Sequence, residues 1–130
     1  MQNGRCYISL TLRVVDDEVL VREFVADALS LYGFQVLQAR HGEDALRILK
    51  EATTPDVALV LTDITMPEMD GIELSRRIRE IDPDCKILFM SGFLDDPTAV
   101  VILVDQQRPL LEKPFTPQQL FKRVDELLKS

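Results

Sequence analysis

The run Val57-Ala58-Leu59-Val60-Leu61-Thr62 shows no alternation of apolar and polar residues. A strand of that kind needs apolar cover on both faces, and a parallel sheet flanked by helices provides it. Leu10 to Val15, Gln35 to Ala39, Lys86 to Met90 and Leu110 to Glu112 read as the companion strands. Segments with helical spacing of apolar residues lie between them. Glu18 to Tyr32 sets Val21, Phe24, Val25, Ala28 and Leu31 on one face and stops at Gly33. Gly42 to Ala52 is a second helix, closed by Thr53-Thr54-Pro55. Asp70 and Glu73 stand at capping-box spacing ahead of a third, whose stripe is Leu74, Ile78 and Ile81 and whose end is Pro83. Asp96-Pro97 opens a fourth. Thr116-Pro117-Gln118-Gln119 is a capping box with proline at the first helical position. It opens a last helix with Leu120, Phe121, Val124, Leu127 and Leu128 inward. Strands alternating with helices require right-handed crossovers, and five of them fit the doubly wound order 2-1-3-4-5.

At 130 residues the chain is long enough for one domain with a full core. Its 46% hydrophobic and 28% charged content is ordinary for a soluble globular chain. A net charge of −7 counts against direct nucleic-acid binding, which needs a basic face. No apolar run approaches the roughly 20 residues that span a bilayer. The apolar stretch from Cys6 to Leu12 is interrupted by Arg13 and has no cleavage site after it, so it reads as strand rather than leader. Cys6 and Cys85 have no metal spacing. The expectation is a reduced, cytoplasmic protein without membrane contact, with no second domain after the last helix.

The polar residues that end the strands carry the chemistry. Asp16-Asp17-Glu18 follows the first apolar run, Asp63 the third, Ser91 the fourth and Lys113-Pro114 the fifth. In an open α/β sheet the site forms at the carboxyl ends of the strands, at the switch between the first and third. Carboxylates gathered there repel one another unless a cation lies among them. A hard, oxygen-seeking ion such as Mg²⁺ suits such a donor set and commonly handles phosphate.

Val14-Val15-Asp16-Asp17-Glu18, the stretch Thr62 to Gly71 that holds Asp63 and Met66-Pro67, Met90-Ser91-Gly92 and Glu112-Lys113-Pro114-Phe115 together resemble the receiver domain of two-component response regulators. The resemblance spans roughly residues 10 to 129, leaving residues 1 to 9 as an N-terminal extension of a receiver domain over 10 to 130. It implies a flavodoxin-like α/β fold with five strands and five helices. Asp63 is then the phosphoacceptor, attacking a phosphohistidine on a histidine kinase or histidine phosphotransfer protein. The resemblance makes Asp17 a direct Mg²⁺ ligand, with Asp63 and the Thr65 carbonyl, and lets Asp16 act through water; Mn²⁺ is the substitute ion. Lys113 neutralises the phosphoryl oxygens, Ser91 donates a hydrogen bond to them and moves to do so, and the Lys113–Pro114 bond is cis. It further implies an output or homodimer surface on the fourth helix, fifth strand and fifth helix. Such a domain turns over no independent substrate beyond its own phosphorylation and slow dephosphorylation.

Two positions depart from the family pattern. Leu110 stands where many receivers carry an aromatic residue, so the relay from Ser91 to the output face must differ from the aromatic one. Phe93, two places after Ser91, flanks with Thr65 the path of an attacking water, and its bulk predicts slow loss of the acyl phosphate.

Other readings compete at single residues. Asp17 is well placed to cap the first helix, and His41 lies in a turn with no partner ligand and no catalytic role. Arg13 lies within a central strand, where a charge is costly unless paired. An acidic partner or a route to solvent is expected for its head group. Val100 to Val104 covers more than one helix face. Its β-branched residues favour a partly irregular, better buried segment over a regular helix with a partner surface. At the level of function, a haloacid-dehalogenase-like phosphatase wants a second aspartate two places after the nucleophile, where Thr65 stands. The remaining alternative is a phosphorylation-independent interaction module on the same fold.

Overall fold

The computed structural model describes residues 10–50, 56–92 and 95–130. Strands β1 (Thr11–Val15), β2 (Gln35–Ala39), β3 (Val57–Asp63), β4 (Lys86–Ser91) and β5 (Leu110–Glu112) alternate with helices α1 (Val19–Leu31), α2 (Gly42–Leu49), α3 (Gly71–Ile81), α4 (Pro97–Asp105) and α5 (Pro117–Lys129). All strand pairs are parallel, and the order is β2-β1-β3-β4-β5. The expected doubly wound fold is therefore present. The readings placed on residues 1–9 and 51–55, including the end of the second helix, lie outside the described residues.

Each face of the sheet has its own core. Leu12, Val14, Leu59, Leu61, Leu88 and Met90 pack with Val25, Ala28 and Leu29 of α1 and Leu120 and Val124 of α5. Val15, Val60, Ile87 and Phe89 pack with residues of α2, α3 and α4 on the other side. This two-sided burial is why β3 reads as an unbroken apolar run.

The caps follow the local chemistry. Thr116 and Gln119 close a reciprocal capping box at α5, with Pro117 in the first turn. Asp70 accepts the Glu73 N–H at 2.8 Å. Glu73 does not return the bond as expected. Its carboxylate is turned outward to Arg76 and Arg77, whose guanidinium groups lie within reach one turn along α3.

Four further expectations are corrected. The α1 stripe buries Leu29 rather than Leu31, which is 87% exposed. Asp17 does not cap α1. The N-cap is Glu18, whose own side chain makes no capping bond, and the Glu18 N–H is taken by Asp16 Oδ1 at 2.9 Å. Of the two outcomes expected for Arg13, the route to solvent is overturned: the side chain is fully buried, because β1 lies between β2 and β3 with helices over both faces. The segment Val100 to Val104 belongs to a regular helix, not an irregular buried one. Leu103 is buried and Ala99 and Val100 pack against the core, which leaves Val101, Ile102 and Val104 exposed. A nine-residue helix lying on a sheet can turn only one face inward.

Candidate functional site

Parallel pairing brings the carboxyl ends of β1, β3, β4 and β5 together. Val15 lies beside Thr62, Asp63 beside Met90, and Ser91 beside Glu112. The next residue along each strand end is then Asp16, Ile64, Gly92 or Lys113. Asp16 and Asp63 are buried, while Asp17 is exposed at the rim. One carboxylate oxygen from each of the three lies within 4.8 Å of the others. This all-oxygen donor set suits a hard divalent cation, so the residues present fit the Mg²⁺ that the sequence implies.

Lys113 is the counter-charge. Its Nζ lies 3.2 Å from Asp16 Oδ2 and 3.4 Å from Asp63 Oδ1. Its backbone N–H donates to the Ser91 carbonyl oxygen at 2.7 Å, and the Lys113–Pro114 peptide bond is cis. Burial pulls the lysine pKa down, but the charges of Asp16 and Asp63 outweigh that and leave it raised. Asp63 is pushed up to about 6, by burial first and then by the Asp16 carboxylate, against the pull of Lys113. Asp16 is also raised by burial, with the Glu18 N–H and Lys113 working against it. A site that holds its carboxylates at such cost is poised for cations.

Several groups hold the acids in place. The Ile64 N–H donates to Asp63 Oδ1 at 3.0 Å. The N-terminus of α3 folds tightly back on β3, where Gly71 N–H donates to the Ile64 carbonyl at 2.7 Å. A Cβ at Gly71 would collide with the Asp63 carbonyl oxygen, so the close approach requires glycine. Arg22 of α1 donates from Nη1 to the Asp16 carbonyl oxygen at 2.7 Å and from Nε to Gln38 of β2 at 3.2 Å. Sequence reasoning missed Arg22 and Gly71. Both act on backbone atoms six to eight residues back, across the turn from strand to helix, and no periodic or capping pattern signals that.

The acids open onto a cleft of about 750 Å³. Its lining includes Asp17, Asp63, Thr65, Gly92, Asp95 and Lys113 on the polar side, and Leu20, Val21, Phe24 and Phe115 on the apolar side. Phe24 and Phe115 meet with ring centroids 6.0 Å apart and form one wall. Leu20 is 78% exposed above it. This apolar shelf departs from the helical spacing, which places Phe24 on the core face of α1; Phe24 is instead exposed at the cleft. Thr65 is exposed at the cleft, Ser91 is buried at the end of β4, and Leu110 is half-buried on β5 beside Phe89. Phe93 lies outside the described residues. His41 is exposed and accepts the Asp44 N–H at the start of α2, a structural role. Cys85 is buried and its thiol is pushed up to about 11 by burial, which leaves it unreactive.

Comparison with known proteins gives a consistent result. The family model of the response regulator receiver domain matches residues 12–125. The response regulator receiver protein CpdR of Brucella abortus is 40% identical over 119 residues, covering 88% of this chain and 93% of that protein. The sensor kinase CckA of the same organism is 39% identical over 121 residues, covering 93% of this chain but only 13% of the kinase. The crystal structure of a response regulator receiver domain protein from Clostridium thermocellum superposes with a TM-score of 0.80 at 27% identity, covering 92% of this chain and 94% of that one.

Proposed function

This chain belongs to the response regulator receiver family of two-component signalling, and from that premise we propose that it accepts a phosphoryl group on Asp63 and changes its protein contacts in response. The observation that carries the reading is the Lys113 ammonium held against two buried carboxylates at the floor of an open cleft. Phosphoryl transfer is mainly positioning and charge neutralisation, and these residues supply both.

The donor is a phosphohistidine on a histidine kinase or phosphotransfer protein. The Asp63 carboxylate attacks phosphorus, the P–N bond to imidazole breaks, and an acyl phosphate forms. With a pKa near 6, Asp63 is mostly ionised at neutral pH and able to attack. Ile64 N–H and Lys113 both act on Oδ1, so we assign Oδ2 to the attack. Lys113 then follows the negative charge onto the phosphoryl oxygens, and the Ser91 hydroxyl swings to donate to them. Asp17, Asp63 and the Thr65 carbonyl would hold Mg²⁺ directly, with Asp16 acting through water. When bound, the metal supplies positive charge against the transferred group. Mn²⁺ would serve in its place.

The apolar shelf of Leu20, Val21, Phe24 and Phe115 beside Asp63 suits the flank of a partner helix that delivers the phosphoryl group. Exposed Val101, Ile102 and Val104 on α4 support an output or homodimer surface across α4, β5 and α5. Phe93 would slow hydrolysis, so Phe93→Ala should lose its phosphoryl group faster than wild type. Among the described residues no helix is long and apolar enough to cross a membrane.

The direct test is incubation with acetyl phosphate and Mg²⁺, read by intact mass, on wild type and Asp63→Asn. A phosphate-sized gain that needs both Asp63 and Mg²⁺ is the expected result. A folded wild type that gains nothing would leave an interaction module that works without phosphorylation.

A further inference from the structure

Asp95 brings a further carboxylate to this cleft, beyond the Asp16, Asp17 and Asp63 cluster. It lies in the turn between β4 and α4 and lines the cleft together with Asp63, Thr65, Gly92 and Lys113. Its Oδ2 accepts the Gly92 N–H at 2.7 Å, a short charge-assisted bond. Its charge reaches Asp63, where it acts in the same direction as burial and Asp16. Gly92 directly follows Ser91, the last residue of β4, whose Met90 pairs with Asp63. The amide that Asp95 occupies therefore stands two residues beyond the acceptor's neighbour across the strand pair.

A phosphoryl group on Asp63 brings about −1.5 to −2 charge into this space. Among the described residues that line the cleft, Lys113 is the one ammonium, and Asp16 and Asp63 already share it. Asp95 is then the group with least reason to stay. It is half-buried at the rim, and a short turn away lies water. Its departure would also free a backbone N–H for the new phosphoryl oxygens.

We infer that Asp95 is a charged latch on the acceptor site: its carboxylate holds the Gly92 amide in the resting protein, and phosphorylation of Asp63 expels it and takes that amide over. The inference rests on the phosphoacceptor reading above and adds its regulation. The latch has two consequences. Asp95 slows phosphorylation, because it repels the incoming group and blocks a donor. It also couples the site to α4, because the next residue, Asp96, is the N-cap of that helix and accepts the Thr98 N–H at 2.9 Å. Moving Asp95 pulls on the first turn of the helix that exposes Val101, Ile102 and Val104. This route does not involve an aromatic residue at Leu110.

The test uses the full chain as wild type, Asp95→Asn and Asp95→Ala, with acetyl phosphate and Mg²⁺ as the probe. Asparagine keeps an acceptor for the Gly92 N–H but removes the charge; alanine removes both. The expected order of phosphorylation rates is alanine, then asparagine, then wild type. The Asn variant should gain about three- to tenfold, shrinking in high salt as screened charge repulsion must. The Gly92 amide resonance should move on phosphorylation of wild type and start from a different position in Asp95→Ala. Equal rates in all three proteins, or a Gly92 amide that phosphorylation leaves in place, would overturn the latch and make the Asp95 bond a plain turn closure. No mass gain in wild type would overturn the phosphoacceptor reading and the latch with it.

Discussion

Lys113 Nζ lies 3.4 Å from Asp63 Oδ1, and the same ammonium reaches Asp16 Oδ2 at 3.2 Å. One cation therefore compensates two buried acids contributed by different strands. Replacing Lys113 with methionine leaves both acids without it. The metal-free protein should lose about 2–3 kcal/mol, less than the full cost of an orphaned buried charge because Asp63 can take up a proton. Phosphorylation should slow by roughly 10²-fold or more. Urea melts with and without Mg²⁺ check the first part, and the gap should narrow when Mg²⁺ is present. Equal stability without metal would count against the compensation.

Asp63→Asn should stabilise the metal-free protein at neutral pH while abolishing phosphorylation. The folded-state pKa of Asp63 is about 6, against an ordinary value of 3.8. The folded protein thus binds the proton more tightly than the unfolded chain. Stability from this group is fullest below about pH 4 and is lost as pH rises through 6. The variant should exceed wild type by about 1–3 kcal/mol at pH 7.5 and match it near pH 3.5. Denaturation at several pH values, free of divalent metal, tests both the sign and the window.

Mg²⁺ binding should release a proton in the same window. Affinity is expected to climb between roughly pH 5 and 7 and level off above. Calorimetric titrations in buffers of different ionisation enthalpy would reveal the proton. A pH-independent affinity across that range would mean that Asp63 is not among the ligands.

Arg22 is expected to matter for metal affinity more than for folding. Its bonds to the Asp16 carbonyl and to Gln38 tie the loop that carries Asp16 and Asp17 to β2. Arg22→Gln should weaken Mg²⁺ binding by about tenfold, the range for loss of an outer-shell support. Its thermal midpoint should stay close to that of wild type. A large drop in midpoint with unchanged affinity would make Arg22 a folding residue only.

Gly71→Ala should destabilise by about 1–3 kcal/mol, even though alanine favours helix by about 1 kcal/mol over glycine. The added methyl group meets the Asp63 carbonyl oxygen, so α3 must back away from β3. Denaturant melts measure the loss, and a stability gain would show that the close approach can relax.

The elements were legible because their signals are local. Caps at Asp70, Asp96 and Thr116 hold as read, each through a bond of two or three residues' reach. The apolar run of β3 announced cover on both faces. Where two local solutions compete, the sequence could not choose between them. On α1, Leu29 and Leu31 both continue an apolar stripe, and the packing of α1 against the sheet and α5 decides for Leu29. At Glu73, a return bond to the cap competes with Arg76 and Arg77, and the arginines win.

The sequence by itself determined the strand and helix order, the parallel sheet, and the acids and lysine at its carboxyl edge. Alternation and capping are short-range, and the crossover rule converts them into topology. Only the tertiary structure decided what lies beside those acids. The full burial of Arg13, the grip of Arg22 on Asp16, the need for glycine at Gly71, the apolar shelf of Leu20 and Phe24, and the bond from Gly92 to Asp95 all depend on distances and surroundings set by the packed fold. Such placements follow from how strands register and helices cross, and a linear pattern of residues holds no term for either.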